Sequence, residues 1–163
     1  MMTAKIRPAL AGFAFLLPLT AHAQTATDNF DVRITIAEEC QIISTETLDF
    51  GNAGVLTSDV DATATLQVAC TNSTPYDIGL DEGTGSGATI TTRQMTAAGA
   101  TVGYQLFRDS GRTTNWGDTV GTDTLASTGT GSAQSFTVYG RVLAQTTPAP
   151  GTYTDTVTVT VTY

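Results

Sequence analysis

The chain has 163 residues and a net charge of −8, which is long enough for one domain with a substantial core. All fifteen carboxylates and only five arginines lie beyond residue 23. Nucleic acids and anionic membranes need a basic footprint, so this acidic balance argues against both as partners.

The first 23 residues have the pattern of a secretory signal peptide. Lys5 and Arg7 form a positive start, residues 9–19 are an apolar run, and Ala21-His22-Ala23 is a small-x-small cleavage site. The apolar run is too short to span a bilayer, so no membrane insertion is expected. We therefore expect an exported mature chain that begins at Gln24, has a net charge of −10 (five arginines against fifteen carboxylates) and retains no histidine and no lysine.

The segment 24–39 follows the leader and contains the sequence NFDVRITI. Phe30, Val32, Ile34 and Ile36 alternate with polar residues, which predicts a strand with one buried face. No turn signal pairs this segment with a following strand. It is expected either to pair within its own domain or to be offered to another domain.

Further strands are predicted along the rest of the chain, and residues 118–131, which are rich in Thr, Gly and Ser, are predicted to be a loop. Six to eight short strands without a helical period indicate an all-β sandwich. The predicted strands cover residues 40–51, 61–71, 75–81, 89–95 (a weak pattern), 102–108, 134–143 and 153–163.

The last predicted strand carries apolar side chains on one face and threonines on the other. Because no further strand sequence follows it, its outer edge is expected to stay open, which proteins normally avoid. The apolar face comprises Tyr153, Val157, Val159, Val161 and Tyr163.

Cys40 and Cys70 are the two cysteines, and both lie on predicted strands. An even count in an exported chain predicts one disulfide, with two free thiols as the alternative. A lone cysteine pair without histidine is not a zinc site.

The mature chain lacks the residues that most catalytic and metal sites need. Without histidine and lysine there is no Ser-His-Asp triad, no Cys-His pair and no Schiff-base lysine. We therefore expect no enzyme, no cofactor and no metal. The pairs Asp59/Asp61 and Asp81/Glu82 are interpreted as solvated carboxylates rather than a glycosidase pair.

Three weaker signals each have two interpretations. Asp77, Asp81 and Glu82 beside the glycine-rich loop 83–87 suggest calcium, but their spacing fits no known calcium loop and favours solvated turn residues. The glycine loop lacks the lysine of a phosphate cradle. Trp116 and Tyr104 are either a platform for stacking sugars or, as we favour, core aromatics.

The ordered set of motifs resembles the spore coat U domain, the subunit fold of archaic (Csu-type) chaperone–usher pili. The matching stretches cover nearly all of the mature chain. They are FDVRITIAEEC, LDFG, LQVACT, PYDIGLDEG with the following Arg93 and Met95, YQLFRDSGRTTNWG, VYGRV and PGTYTDTVTVTVTY.

This resemblance implies an incomplete immunoglobulin-like sandwich over residues 40–163 that lacks its last strand. In such subunits a periplasmic chaperone fills the gap first. The N-terminal segment of the next subunit then replaces the chaperone at the outer-membrane usher, in a form of β-strand addition. Donor residues Phe30, Val32, Ile34 and Ile36 would enter a groove edged by the apolar face of the last strand.

Burying four donor side chains would contribute on the order of 6–12 kcal/mol. The tether of residues 37–39 is short for folding back within one subunit, which favours exchange between subunits. The leading hypothesis is therefore a pilus subunit that supports adhesion and biofilm formation. The alternative is a self-contained secreted coat or glycan-binding module.

Overall fold

The structure, a computed structural model, describes residues 22–163. The leader prediction falls mainly on residues 1–21 and lies outside the described part. The chain divides into two units, Met1–Ile34 and Thr35–Tyr163. In the first unit, the described residues 22–34 form neither helix nor strand.

The second unit is built from eight strands, and the part of the chain that the structure describes contains no helix. No helix capable of crossing a membrane therefore occurs within residues 22–163. The strands are β1 Cys40–Thr45, β2 Val60–Cys70, β3 Pro75–Leu80, β4 Arg93–Ala97, β5 Ala100–Phe107, β6 Leu125–Thr128, β7 Ala133–Val142 and β8 Val159–Thr162.

The strands form two antiparallel sheets. One has five strands in the order β1-β2-β7-β5-β4, and the other has three in the order β6-β3-β8. The long β2–β7 ladder runs from Val60 opposite Val142 to Ala69 opposite Ala133. Inward residues of both sheets, such as Leu66, Val138 and Ile78, share one hydrophobic core. The all-β sandwich predicted from the sequence is confirmed.

Several predicted elements differ from the structure. The first strand ends at Thr45 instead of Gly51, because a bulge between Ile42 and Ser44 shifts its register and the chain then leaves β2. The predicted loop 118–131 contains the short strand β6, which pairs with β3. The segment 29–36 is not a strand, because a strand needs a hydrogen-bonded neighbour that these residues lack within the described chain.

The predicted disulfide between Cys40 and Cys70 is present. The two residues lie directly opposite each other at one end of the β1–β2 ladder. The next residues extend this junction: Thr71 N donates to the Glu39 carbonyl at 2.9 Å, and Glu39 N donates to Thr71 Oγ1 at 3.1 Å. Glu39, which directly precedes β1, is thus hydrogen-bonded to the residue that follows β2.

We expect replacement of both cysteines by alanine to lower the free energy of unfolding by about 3.5 kcal/mol, the chain-entropy value for a loop of this length. Urea unfolding of the parent and of the double variant measures the difference. The parent in reductant is the control, and it should unfold at the same urea concentration as the variant. Equal stability of parent and variant would show that the bridge is dispensable.

A buried arginine joins the two sheets at the other side of the core. Arg93 is completely buried, and its guanidinium donates to the carbonyls of Leu80 at 2.8 Å, Asp81 at 2.7 Å, Ile90 at 3.0 Å and Trp116 at 2.7 Å. Burial lowers the pKa of Arg93, and the nearby Tyr104 and carboxylates oppose that shift. An arginine nevertheless stays charged in a protein.

Trp116 connects the same two sheets. It is completely buried; its N–H bonds the Leu106 carbonyl of β5 at 2.9 Å, and its indole Nε1 donates to the Ile78 carbonyl of β3 at 2.8 Å. The alternative in which Trp116 stacks on sugars is wrong, because no face of this ring reaches the surface. Tyr104 is also a core aromatic, with 5% of its surface exposed.

Candidate functional site

A long groove opens between the two sheets on the side of the sandwich where β8 ends the three-stranded sheet. Its cavity volume is about 1060 Å³. One wall is residues 45–56, which begin at the last residue of β1, and the other is residues 147–157 together with Val159, the first residue of β8. The floor consists of inward side chains of the five-stranded sheet: Ala64, Leu66, Val102, Tyr104, Leu106, Val138 and Val142. The apolar core is therefore accessible from this side.

The wall beside β8 contains most of the residues predicted as the groove edge. Tyr153, Val157 and Val159 line the groove and are half-buried against the core. Val161 packs on the core but does not line the groove. Tyr163 is 59% exposed and does neither.

The outer edge of β8 has no partner strand within residues 22–163. On its inner side β8 pairs with β3 from Leu80 opposite Val159 to Asp77 opposite Thr162. Such an edge presents a row of free N–H and C=O groups, which is a template for one more strand.

The regular strand is shorter than the predicted 153–163 because the preceding residues bridge two sheets. Thr154 and Thr96 of β4 exchange backbone hydrogen bonds of 2.8 and 3.2 Å. Further along, Asp81 N donates to the Thr158 carbonyl at 3.1 Å, and Thr158 N donates to the Asp81 carboxylate at 2.8 Å. These bonds position the wall without using its groove-facing edge.

The opposite wall was not predicted. We call residues 46–56 the strap. Leu48 and Phe50 of the strap are half-buried against the core, and the Phe50 ring meets Tyr104 edge-on with centroids 6.1 Å apart. The alternation in LDFG was the available signal, but it was interpreted as the end of the first strand.

The strap is held at its ends. Glu46 N donates to the Thr65 carbonyl at 2.9 Å, and the Glu46 carboxylate accepts from Thr65 N at 2.9 Å. At the far end Leu56 N donates to Thr147 Oγ1 at 2.8 Å, and its carbonyl accepts from Gln145 N at 3.0 Å. Between these ends, packing of side chains on the core holds the strap in place.

Gly140 of β7 provides the space in which the strap side chains sit. A Cβ atom there would lie 2.8 Å from Leu48 Cδ2 and 2.9 Å from Phe50 Cζ. We expect Gly140→Ala to displace both side chains and to lower the free energy of unfolding by about 1 kcal/mol, the low end for overpacking. Thermal unfolding, with hydrogen exchange on the strap, measures this.

Gly103 on the neighbouring strand is the matched control, since the nearest atoms to a Cβ there lie at 3.6 Å. Gly103→Ala should leave the strap unchanged. If both variants behave alike, Gly140 does not support the strap.

The predicted donor side chains all project into solvent. Phe30 is 87% exposed, Val32 85%, Ile34 82% and Ile36 71%. Four large apolar side chains in one alternating row are the largest exposed apolar series in residues 22–163. Such a row is typical of an unoccupied interaction surface.

A polar cluster closes one end of the groove floor. Asp155 is half-buried in the groove wall, and its carboxylate accepts from Tyr104 Oη at 2.8 Å, from Thr84 N at 2.8 Å and from Thr84 Oγ1 at 2.9 Å. Burial and then the hydrogen bond to Asp155 raise the pKa of Tyr104 far above its usual value. The neutral phenol of Tyr104 and the hydrogen-bonded carboxylate of Asp155 together position the groove wall. Neither group is free to act as a base or a nucleophile.

Asp77 and Asp81, two of the three carboxylates considered for calcium, accept hydrogen bonds from protein donors. Asp81 accepts hydrogen bonds from Gly83 N and Thr158 N. Burial raises the pKa of Asp81, but these hydrogen bonds lower it by more, so the pKa lies below its usual value. Asp77 accepts from Thr124 Oγ1 at 2.7 Å. Within residues 22–163 no group of three or more His, Cys, Asp or Glu side chains is arranged to hold a metal ion.

Asp61 also has a structural partner. Both of its carboxylate oxygens accept from the Arg141 guanidinium, at 2.7 and 2.8 Å, and Arg112 lies 3.3 Å away. The hydrogen bond from Arg141 lowers the pKa of Asp61 against the opposing effect of burial. The pair Asp59/Asp61 therefore forms part of an ion-pair network with Arg141.

Comparison with solved structures defines the class of fold. The chain is similar to one chain of the CsuC–CsuE chaperone–tip adhesion subunit pre-assembly complex from archaic chaperone–usher Csu pili of Acinetobacter baumannii, with a TM-score of 0.58 and 24% identity. The match covers 79% of this chain and 40% of that chain. The fold is thus the incomplete immunoglobulin-like β-sandwich predicted from the sequence.

Residues 26–160 match the model of the spore coat protein U domain. The chain is also 35% identical over 158 residues to Protein U of Myxococcus xanthus, covering 88% of each chain. This protein belongs to the spore coat protein U domain family, as the resemblance of its motifs predicted.

Proposed function

We propose that this protein is a structural subunit of a chaperone–usher pilus and that it polymerises by donor-strand exchange. Residues 29–36, which we call the donor segment, insert into the groove of a neighbouring subunit beside β8. The polymer is a surface fibre that serves adhesion and biofilm formation. The segment 24–39 acts as the donor region, and residues 40–163 act as the recipient domain.

The observation that carries this proposal is the complementarity of two exposed features. The groove offers an apolar floor and an unpaired strand edge, and the donor segment offers four exposed apolar side chains on one face. Each subunit has one of each at different places, so contacts between copies are heterologous and extend into a filament.

The proposal also defines partners and location. A groove that is open to water needs protection before assembly, which a periplasmic chaperone provides, and an outer-membrane usher is the site of exchange. The similar Acinetobacter structure is a chaperone–subunit complex, which supports a chaperone partner here. Transit through the periplasm and display on the cell surface follow from this assembly, together with identical or related subunits as neighbours.

A secreted coat module is the second candidate, and the identity with Protein U over most of both chains favours it. The two candidates differ in whether residues 24–36 are needed for association. We expect the purified full chain to give a ladder on unboiled denaturing gels and the chain lacking residues 24–36 to give none. A full chain that stays monomeric, and is equally stable without residues 24–36, overturns the pilus proposal.

A further inference from the structure

The apolar face of the donor segment cannot by itself determine how far the segment slides along the groove. A slip of one residue would turn Phe30, Val32, Ile34 and Ile36 out of the groove. A slip of two residues keeps every apolar side chain inward. If the proposed strand exchange occurs, some other feature must select one register.

The outward face of the donor segment carries the sequence Asp31, Arg33, Thr35, so its charges alternate in a defined order. Within residues 22–163 the Arg33 guanidinium makes no hydrogen bond and no ion pair. The other described arginines are all engaged: Arg93 with four carbonyls, Arg108 with the Thr124 carbonyl, Arg112 with the Gly140 carbonyl and Asp61, and Arg141 with Asp59 and Asp61.

The groove presents the opposite charge. Its lining contains the carboxylates Glu46, Asp49 and Asp155 but no lysine or arginine. Glu46 and Asp155 are committed to donors on other segments. Asp49 accepts only from Gly51 N of its own turn, at 2.8 Å, and it is exposed.

Asp49 has the same position in the strap as Arg33 has in the donor segment. It lies between the half-buried Leu48 and Phe50, so it is on the outward face, as Arg33 is between Val32 and Ile34. The strap is not a strand in the free subunit. If the inserted donor segment lies along it as one strand lies along another, the Cβ atoms of directly opposite residues are about 5 Å apart, within reach of an arginine–carboxylate pair.

We propose that Arg33 of the inserted donor segment pairs with Asp49 of the recipient subunit and that this ion pair selects the register. A two-residue slip in one direction places Asp31 opposite Asp49, where like charges repel. A slip in the other direction places the uncharged Thr35 there. Only the register with Arg33 opposite Asp49 places opposite charges next to each other between the donor segment and the strap.

The test uses the full-length polymer, whose dissociation in urea is followed by light scattering. Arg33→Glu should make dissociation about fivefold faster at low salt, because a favourable cross-strand pair becomes a repulsive one. Adding Asp49→Arg should restore the parent rate. Adding Glu82→Arg is the matched control and should not restore it, because Glu82 is an exposed carboxylate outside the groove lining.

Salt concentration separates an ion pair from a general packing defect. In about 1 M salt, where charges are screened beyond about 3 Å, parent and Arg33→Glu polymers should dissociate at similar rates. A rate unaffected by Arg33→Glu, rescue by Glu82→Arg equal to that by Asp49→Arg, or a defect that persists in high salt overturns the inference while the parent polymer still supports strand exchange. A parent chain that forms no polymer overturns the proposed function and this inference together.

Discussion

Replacing Ile34 with aspartate is expected to abolish the polymer ladder while leaving the subunit folded. Ile34 is 82% exposed and lies outside any strand in the described chain, so the sandwich does not depend on it. In the proposed fibre the same side chain is buried in a neighbour's groove. The substitution would forfeit about 1.5–3 kcal/mol of apolar burial and leave an unpaired carboxylate in an apolar site, at a further several kcal/mol.

A combined loss of about 5 kcal/mol weakens the contact more than a thousandfold. The measurements are the ladder on unboiled gels and the melting temperature of the monomeric variant. Thr35→Asp is the matched control, because it adds the same charge one residue away on the outward face. A ladder that survives Ile34→Asp, or that is lost equally with Thr35→Asp, would mean that the apolar face of the donor segment is not what enters the groove.

Arg93→Met is expected to destabilise the subunit itself by about 3–5 kcal/mol. The substitution removes the donor from four carbonyls, of which those of Leu80 and Trp116 are buried. A buried carbonyl costs about 1–3 kcal/mol when left unsatisfied. Removing Arg93 also removes the cost of keeping its charge away from water, which offsets part of the loss from the unsatisfied carbonyls. For a domain of this size the melting temperature should fall by roughly 10–20 °C.

Arg141→Met is the control for Arg93→Met, because the Arg141 guanidinium pairs with Asp59 and Asp61 at the surface and surface pairs contribute little. Its melting temperature should stay close to that of the parent. Arg93→Lys should recover only part of the loss, because one ammonium group cannot reach all four carbonyls that the planar guanidinium of Arg93 contacts. Equal melting temperatures for Arg93→Met and the parent would show that water replaces the guanidinium.

Most of the strands could be predicted because their pattern is local. β2 and β7 alternate over ten or more residues, and that period is visible without any knowledge of the fold. β6 escaped prediction because its four residues, Leu125–Thr128, contain a single large apolar side chain and pair with β3 only through the tertiary structure. The sequence of residues 46–51 has strand-like alternation, but a bulge in β1 takes the segment away from its ladder.

Only part of the candidate site could be predicted from the sequence, because only part of it has a local alternating pattern. The donor segment and the wall from Tyr153 to Val159 carry alternating apolar residues, so both were predicted. Gly140, which makes room for the strap, and Asp155, which lies in the groove wall, required three-dimensional contacts. Arg93 could not be assigned a role from sequence because all its partners are backbone carbonyls, which any residue supplies.

The environments of the arginines make the donor segment unusually easy to cut. Beyond the leader the chain has no lysine, so trypsin has only arginines to recognise. Arg93 is completely buried, and Arg108, Arg112 and Arg141 are bonded within the sandwich. The Arg33–Ile34 bond lies in a segment without secondary structure, the kind of site that proteases prefer. In the proposed fibre, brief tryptic digestion is expected to release the part of the donor segment up to Arg33, with Phe30 and Val32, from free subunits and to spare the same bond in joined subunits. A common protease would then report how much of the protein has assembled.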